Sequence, residues 1–167
     1  MDKTVSVEFE PWYRAEYSRV LTALTLVTGD GERARDATDE AFARALARWR
    51  SVSQMENPGG WTYRVALNVV RSVVRRAAIE KRLLRRDRPD VVPPPAVELW
   101  HVVRQLPPRQ REIVVLRYLL DMREREIAAT LGIRRGTVSR SLSTAHGKLR
   151  GWLSEEEEDS AREQENV

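Results

Sequence analysis

The sequence predicts an all-α fold: two small helical domains joined by a Pro-rich linker. Three observations predict it. Apolar residues recur at helical spacing on both sides of the chain's middle, no stretch alternates as a strand would, and Arg88-Pro89-Asp90-Val91-Val92-Pro93-Pro94-Pro95 interrupts the pattern between the two halves. The reading divides the chain into a helical domain over 1–84, a linker over 85–98, a helix-turn-helix domain over 99–153 and an acidic, disordered tail over 154–167.

The elements follow from periodicity and punctuation. Trp12, Ala15, Tyr17, Val20, Leu21, Leu24 and Val27 mark a first helix, which Thr28-Gly29-Asp30-Gly31 stops. Ala34 to Trp49 is a second helix with Ala37, Ala41, Phe42, Ala45, Leu46 and Trp49 inward. Ser51 to Gly60 reads as a loop, closed by the turn signal Asn57-Pro58-Gly59-Gly60. Trp61 to about Leu84 is a third helix, apolar through Trp61, Val65, Val69, Val70 and Val73. Proline fixes φ and removes backbone donors, so the linker is extended. Residues 85–98 span at most roughly 46–50 Å. Ala96–Gln105, Arg109–Leu120, Arg123–Leu131 and Gly136–Leu153 are the later helices. Glu155-Glu156-Glu157-Glu158-Asp159 and the residues beyond them have no apolar face, which predicts disorder.

Composition excludes several classes. The chain has no Cys, so neither a disulfide framework nor a thiolate metal site is available, and His101 and His146 lie too far apart in sequence to suggest a ligand pair. No metal, cofactor or catalytic residue is expected. No apolar run approaches a membrane span, and MDKTVSVEFEPW lacks the basic-then-apolar order of a signal peptide, so a cytoplasmic protein without membrane insertion is expected. All basic residues except Lys3, Lys81 and Lys148 are Arg, which suits bidentate phosphate and guanine contacts and equally follows from a GC-rich genome.

Charge is distributed in blocks. Residues 1–43 carry a net −4, 44–88 a net +9, 100–153 a net +7 and 154–167 a net −6. Two basic blocks flanking a spacer suggest two contacts with one polyanion, and the acidic first block suggests a protein partner. The acidic tail, beside a basic helix, is expected to repel DNA in the free protein.

The sharpest signal lies in the second half. Glu126-Ile127-Ala128-Ala129-Thr130-Leu131-Gly132-Ile133 followed by Arg134-Arg135-Gly136-Thr137-Val138-Ser139-Arg140 reads as a helix-turn-helix. Ile127, Leu131, Ile133 and Val138 have the spacing that closes two crossed helices on one core. Ala128 is small where the second helix approaches, and Gly132 sits where the chain turns and positive φ is favoured. Arg134, Arg135 and Arg140 crowd the start of the second helix, the end presented to a major groove.

Other features carry two readings each. Asp36, Asp39 and Glu40 project from one helix face at i, i+3 and i+4: a metal or acid–base cluster, or a solvated or partner-facing edge, with the edge favoured because no His or further acid accompanies them. Trp61 and Tyr63 beside Arg64, Arg71, Arg75 and Arg76 form either a base-stacking surface with phosphate clamps or, for Trp61, simply core. Lys81-Arg82 and Arg85-Arg86 are a further phosphate contact or a solvated helix end.

A resemblance covers most of the chain. Leu106-Pro107-Pro108-Arg109-Gln110-Arg111-Glu112, Leu116-Arg117-Tyr118, Glu126-Ile127-Ala128 and Gly136-Thr137-Val138 resemble the sigma-4 signature of bacterial sigma factors of the extracytoplasmic-function type. Ala34-Arg35-Asp36-Ala37-Thr38-Asp39-Glu40-Ala41-Phe42 resembles the helix that grips the polymerase clamp. Asn57-Pro58-Gly59-Gly60-Trp61-Thr62-Tyr63-Arg64-Val65-Ala66-Leu67-Asn68 resembles the segment that reads and melts the −10 element. The details are most similar to an actinobacterial sigma-E-like subgroup. Departures are Asp39 where Gln is usual, the less apolar pair Ala37-Thr38, Ser72 where an Asp often stands, Ser139 where a Lys often stands, and the acidic tail.

The resemblance implies a factor that lends promoter recognition to core RNA polymerase, contacting its clamp and flap, with promoter DNA as the second partner and an anti-sigma factor as a possible third. It implies polymerase contact through Asp36, Asp39 and Glu40, base capture near Asn68, support from Trp61, and phosphate contacts from Arg64, Arg71, Arg75 and Arg76. It further implies −35 reading by Arg134, Arg135, Thr137, Ser139, Arg140 and Ser141. Rival readings are a stand-alone dimeric helix-turn-helix regulator, which would need no residues from 34–76; an enzyme on a helical scaffold, which the lack of Cys, the two isolated His and the lack of a Gly-rich phosphate loop disfavour; and a degenerate sigma-like regulator that binds polymerase poorly, which Ala37, Thr38 and Asp39 keep open.

Overall fold

The computed structural model describes the backbone of residues 3–81 and 98–165 and the side chains of 8–75 and 101–154. Most of the linker, the side chain of Arg76, and those of Lys81, Arg82, Arg85 and Arg86 lie outside the described residues. Eight helices occur among the described residues: α1 (Lys3–Thr28), α2 (Gly31–Ala47), α3 (Trp49–Val52), α4 (Pro58–Lys81), α5 (Glu98–Gln105), α6 (Pro108–Tyr118), α7 (Glu124–Leu131) and α8 (Arg135–Glu165). No strand occurs among them.

In the first half α2 packs on α1 and α4. Val20, Ala23, Leu24, Ala34, Ala41, Ala45, Tyr63 and Ala66 are fully buried there. Small residues along α2 let the three helix axes approach closely. The turn predicted at 28–31 forms as expected: Gly29 has φ 69°, and Asp30 Oδ1 accepts the Arg33 N–H at 3.0 Å to cap α2.

α1 begins nine residues before the first periodic residue, Trp12, and runs through Pro11. Pro11 reads as a helix start because proline lacks the N–H an interior position needs. Aromatic packing holds the extension: the Phe9 ring lies 5.4 Å from Trp12 and 5.1 Å, edge-on, from Trp49. Ala15, expected inward, is exposed.

Asn57-Pro58-Gly59-Gly60, predicted as the end of a loop, is the cap and first turn of α4. Asn57 Oδ1 accepts the Gly60 N–H at 2.6 Å, and Pro58 takes the first helical position, where its missing N–H costs nothing. A Cβ on Gly60 would meet the Asn57 side chain at 3.1 Å, so that glycine keeps the cap tight. The inward face of α4 is also rotated from the expected one. Tyr63, Ala66, Leu67 and Val70 are buried, whereas Val65 and Val69 are half-buried and Val73 is 44% exposed.

In the second half α6 and α7 pack against α8 around Ile113, Leu116, Ile127 and Val138, none of them exposed. The helix-turn-helix forms as predicted. Gly132 has φ 64°, and its N–H and that of Ile133 both donate to the Ala128 carbonyl, closing α7. Nothing lies within 4 Å of a Cβ added at Gly132, so backbone strain alone opposes substitution. Gly132→Ala is therefore expected to cost about 1 kcal/mol in urea unfolding; an unchanged midpoint would mean the turn relaxes.

The tail departs from expectation. α8 continues to Glu165 instead of ending at Leu153. After Gly151 no Gly or Pro interrupts the run, and Glu, Ala, Arg and Gln are good helix formers, so the helix propagates where no apolar face demands it.

The two halves pack together. α1 lies against α6, and one hydrophobic cluster runs through both, from Phe9 to Ala145. Polar contacts rim it. Arg19 Nε donates to the Leu119 carbonyl at 3.1 Å, and the same guanidinium pairs with Asp121. Arg111 Nη1 donates to the Leu26 carbonyl at 3.3 Å. Asp121 takes φ 51°, a left-handed conformation that Asp tolerates better than most residues.

Candidate nucleic-acid interface

Three groups of predicted residues can be located. The first lies on α4. Trp61, Arg64, Asn68, Arg71 and Arg75 follow one another at steps of three or four, which places them in one stripe along the helix. All are exposed except Trp61, which is half-buried. The stripe lies opposite the buried Tyr63, Ala66, Leu67 and Val70. Tyr63 therefore leaves the stacking surface expected for it and joins the core. Its hydroxyl finds no hydrogen-bond partner among the described residues, and burial, with Glu112 second, pushes its pKa far up, so the group stays protonated. Trp61 packs against the core and is half-buried, as the core reading expected.

The stripe is already engaged. Arg71 Nη2 lies 3.4 Å from Glu112 Oε1 on α6, and Glu112, 7% exposed, also receives Arg109 at 2.9 Å. Trp61 and Arg64 line a cleft of about 220 Å³ whose far wall includes Met122, Glu126, Ala129 and Thr130.

The second group surrounds the start of α8. Arg134, Arg135, Thr137, Ser139 and Arg140 are exposed and Ser141 is half-buried, while Val138, Leu142 and Ala145 turn inward. α8 begins at Arg135, so Thr137 sits inside its first turn, and Arg134 caps the helix by its carbonyl, which accepts the Thr137 N–H at 2.9 Å. Arg135 is held loosely by Glu124 at 3.2 Å with three-quarters of its side chain exposed. This is a basic, solvated helix start on a fixed hydrophobic base.

The third group, Asp36, Asp39 and Glu40, is exposed on α2. The Tyr17 hydroxyl donates to Asp39 Oδ1 at 2.6 Å, and burial, reinforced by Asp39, pushes the phenol up to about 12. Tyr17 thus stays a donor through the physiological range and fixes the Asp39 carboxylate. Glu40 pairs with Arg44 at 2.9 Å. No group of His, Cys, Asp and Glu able to hold a metal occurs among the described residues.

Sequence reasoning missed Glu56, Glu112 and the second use of Asn57. Glu56 is one of three acids in the most basic block of the chain, and that isolation was the available signal. It receives both Arg123 and Arg125 from the segment opening α7. Asn57 Nδ2 donates to the Leu120 carbonyl at 3.1 Å, so one side chain caps α4 and ties it to the other half.

Comparison with known proteins places this geometry. Residues 12–79 match the family described as sigma-70 region 2, and residues 96–149 match sigma-70, region 4. The chain is 30% identical over 151 residues to the RNA polymerase sigma-E factor of Streptomyces coelicolor, covering 86% of this chain and 85% of that one. It is 29% identical over 178 residues to the ECF RNA polymerase sigma factor SigE of Mycolicibacterium smegmatis, covering 96% and 67%. Its fold resembles the sigma factor RpoE crystallised with the anti-sigma factor NepR from Bartonella quintana, with a TM-score of 0.70 at 17% identity over 88% of this chain and 97% of that one. It also resembles CnrH in complex with the cytosolic domain of CnrY, with a TM-score of 0.53 at 20% identity over 87% of each. With both regions present in order, on this fold and at this identity to a full-length relative, the chain belongs to the sigma-70 family of RNA polymerase sigma factors, in its extracytoplasmic-function group.

Proposed function

We propose that this chain directs promoter-specific transcription initiation by docking on core RNA polymerase through α2, reading and melting a −10 element with α4, and reading a −35 element with α8. The observation that carries the reading is the stripe Trp61, Arg64, Asn68, Arg71 and Arg75 on one face of α4, in the same chain as an exposed basic recognition helix. Residues 1–84 and 99–153 act as the two working units, and the linker lets them part.

Each residue type suits its task. The Asn68 amide offers a donor and an acceptor to one base edge. Trp61 supplies an aromatic ring for a flipped base to stack on, worth about 1–3 kcal/mol per base, against about 1–2 kcal/mol for each base-pair step opened. Arg64, Arg71, Arg75 and Arg76 hold the phosphates of the separated strand. Arg134, Arg135, Thr137, Ser139, Arg140 and Ser141 face the −35 major groove. Asp36, Asp39 and Glu40 meet a basic surface on the polymerase clamp, with Asp39 held in place by Tyr17, while the second half meets the flap. The chain makes and breaks no covalent bond; it supplies sequence recognition to an enzyme. It acts in the cytoplasm, in keeping with the lack of any described helix long and apolar enough to cross a membrane. An anti-sigma factor is included among its partners, as the Bartonella quintana protein has one.

Run-off transcription with purified core polymerase on a pooled promoter library tests the reading. New starts are expected with the wild-type chain and roughly tenfold fewer with Asn68→Ala, the effect of removing one good base contact. Specific duplex binding without any new start would instead identify a stand-alone regulator.

A further inference from the structure

We propose that Tyr17 is a positioning residue for polymerase binding: from α1 it holds one oxygen of Asp39 on α2, so that the other oxygen is presented, its charge undiminished, to a cationic side chain of the polymerase. The proposal rests on the reading of α2 as the docking helix. It adds which of the three acids carries the contact and what aims it.

The Tyr17 ring is packed from both helices. It is half-buried, with its centroid 5.2 Å from that of Tyr13 on α1 and 5.4 Å from that of Phe42 on α2. Phe42 is itself buried, three residues beyond Asp39, and lies edge-on to Tyr13 at 5.3 Å. Rings packed in this way leave the phenol little room to swing. Its hydroxyl therefore reaches Asp39 from a fixed base, and 2.6 Å is the short contact a hydroxyl makes to an ionised carboxylate. With burial first and Asp39 second holding the phenol up at about 12, the proton stays on Tyr17 and the bond keeps one direction.

The three acids of α2 differ in what holds them. Glu40 is drawn to Arg44 at 2.9 Å, a cation that offsets its charge toward any partner. Asp36 stands exposed one turn before Glu40. Asp39 is oriented by a neutral group, and a phenol fixes a carboxylate without cancelling it. Arg35, one turn before Asp39, is exposed and acts on the phenol less than Asp39 does. Freezing a loose surface side chain on docking costs a factor of about two to ten in affinity. For Asp39 that ordering is already done in the free protein. The contacts that do it lie wholly between α1 and α2.

Competition of unlabelled full-length variants against dye-labelled wild type for core RNA polymerase tests the assignment. The chain has no native Cys, so Ser143→Cys, exposed on α8, carries the dye. Tyr17→Phe, which removes only the hydroxyl, is expected to weaken binding about three- to tenfold. Tyr13→Phe, which takes a hydroxyl from the neighbouring ring, is expected to leave binding unchanged. Asp39→Ala is expected to weaken binding more than Glu40→Ala does. Adding Tyr17→Phe to Asp39→Ala is expected to change nothing further. This non-additivity separates aiming from packing, because a ring that only supports the fold would weaken both backgrounds alike. Unchanged affinity for Tyr17→Phe, or an equal loss with and without Asp39, overturns the proposal and leaves α2 as the docking helix. No loss from Asp36→Ala, Asp39→Ala or Glu40→Ala overturns the proposal together with docking through α2.

Discussion

Ile127→Ala is expected to destabilise the chain by about 2–5 kcal/mol, among the largest effects of single truncations in the second half. Ile127 has no exposed surface and belongs to the cluster on which α7 and α8 close. Truncation removes its buried methyl and methylene groups and leaves a cavity that two short, crossed helices fill poorly. Because the start of α8 is held by this core and little else, duplex binding should fall in parallel with the urea midpoint. A loss of stability without a loss of binding would mean that α8 is oriented by other contacts. A change below about 0.5 kcal/mol would place Ile127 at the surface, contrary to the structure.

Replacing Arg134, Arg135 and Arg140 together by Ala is expected to weaken duplex binding by roughly 100-fold or more at low salt. The plot of log affinity against log salt should flatten by about 0.9 for each phosphate no longer neutralised, up to nearly three units. The three side chains are exposed and carry no core packing, so folding should be preserved. Arg14→Ala, at an exposed position of α1, removes one positive charge from a different surface and should leave the slope unchanged, so the comparison is made per charge removed. An equal loss in both variants would reduce the role of α8 to general charge; equal slopes with reduced affinity at one sequence only would make the arginines base readers and not phosphate clamps.

The helix-turn-helix was legible because its signals are local. Gly132 ends α7 with the expected positive φ, and Ile127, Leu131 and Val138 recur within one short window and are buried as their spacing implied. On α4 the sequence grouped Trp61, Tyr63, Arg64, Arg71, Arg75 and Arg76; helical period aligns Trp61, Arg64, Arg71 and Arg75, whereas Tyr63 turned inward and Asn68 entered only through the family resemblance. The contacts that escaped depend on distance along the chain. Glu56 meets Arg123 and Arg125, Arg19 meets Asp121, and Arg71 meets Glu112, each across scores of residues. No periodicity encodes such pairs, and in a chain so rich in Arg every acid has many candidate partners. The rotation of α4 had a subtler cause. Valine at 65, 69 and 73 gave a more apolar line than Tyr63, Ala66, Leu67 and Val70, yet the small Ala66 permits the closer approach of α2, and packing chose the face that fits. The helical tail was illegible for a different reason. Lack of an apolar face does not amount to lack of helix, since the propensities of Glu, Ala and Arg suffice to carry on a helix already nucleated by its core-bound turns.

The covering of the α4 stripe bears on a problem every strongly basic regulator faces. A bacterial chromosome presents on the order of a million or more non-specific sites, and each is a polyanion able to absorb free arginine-rich protein. With Arg71 paired to Glu112 and Trp61 and Arg64 lining the cleft against α7, two of the twelve basic residues of the block 44–88 are drawn away from that sink. The exposed acids of α2 meanwhile repel bare DNA. Each arginine paired within the chain lowers its affinity for bare DNA and leaves more of the protein in the pool from which polymerase draws.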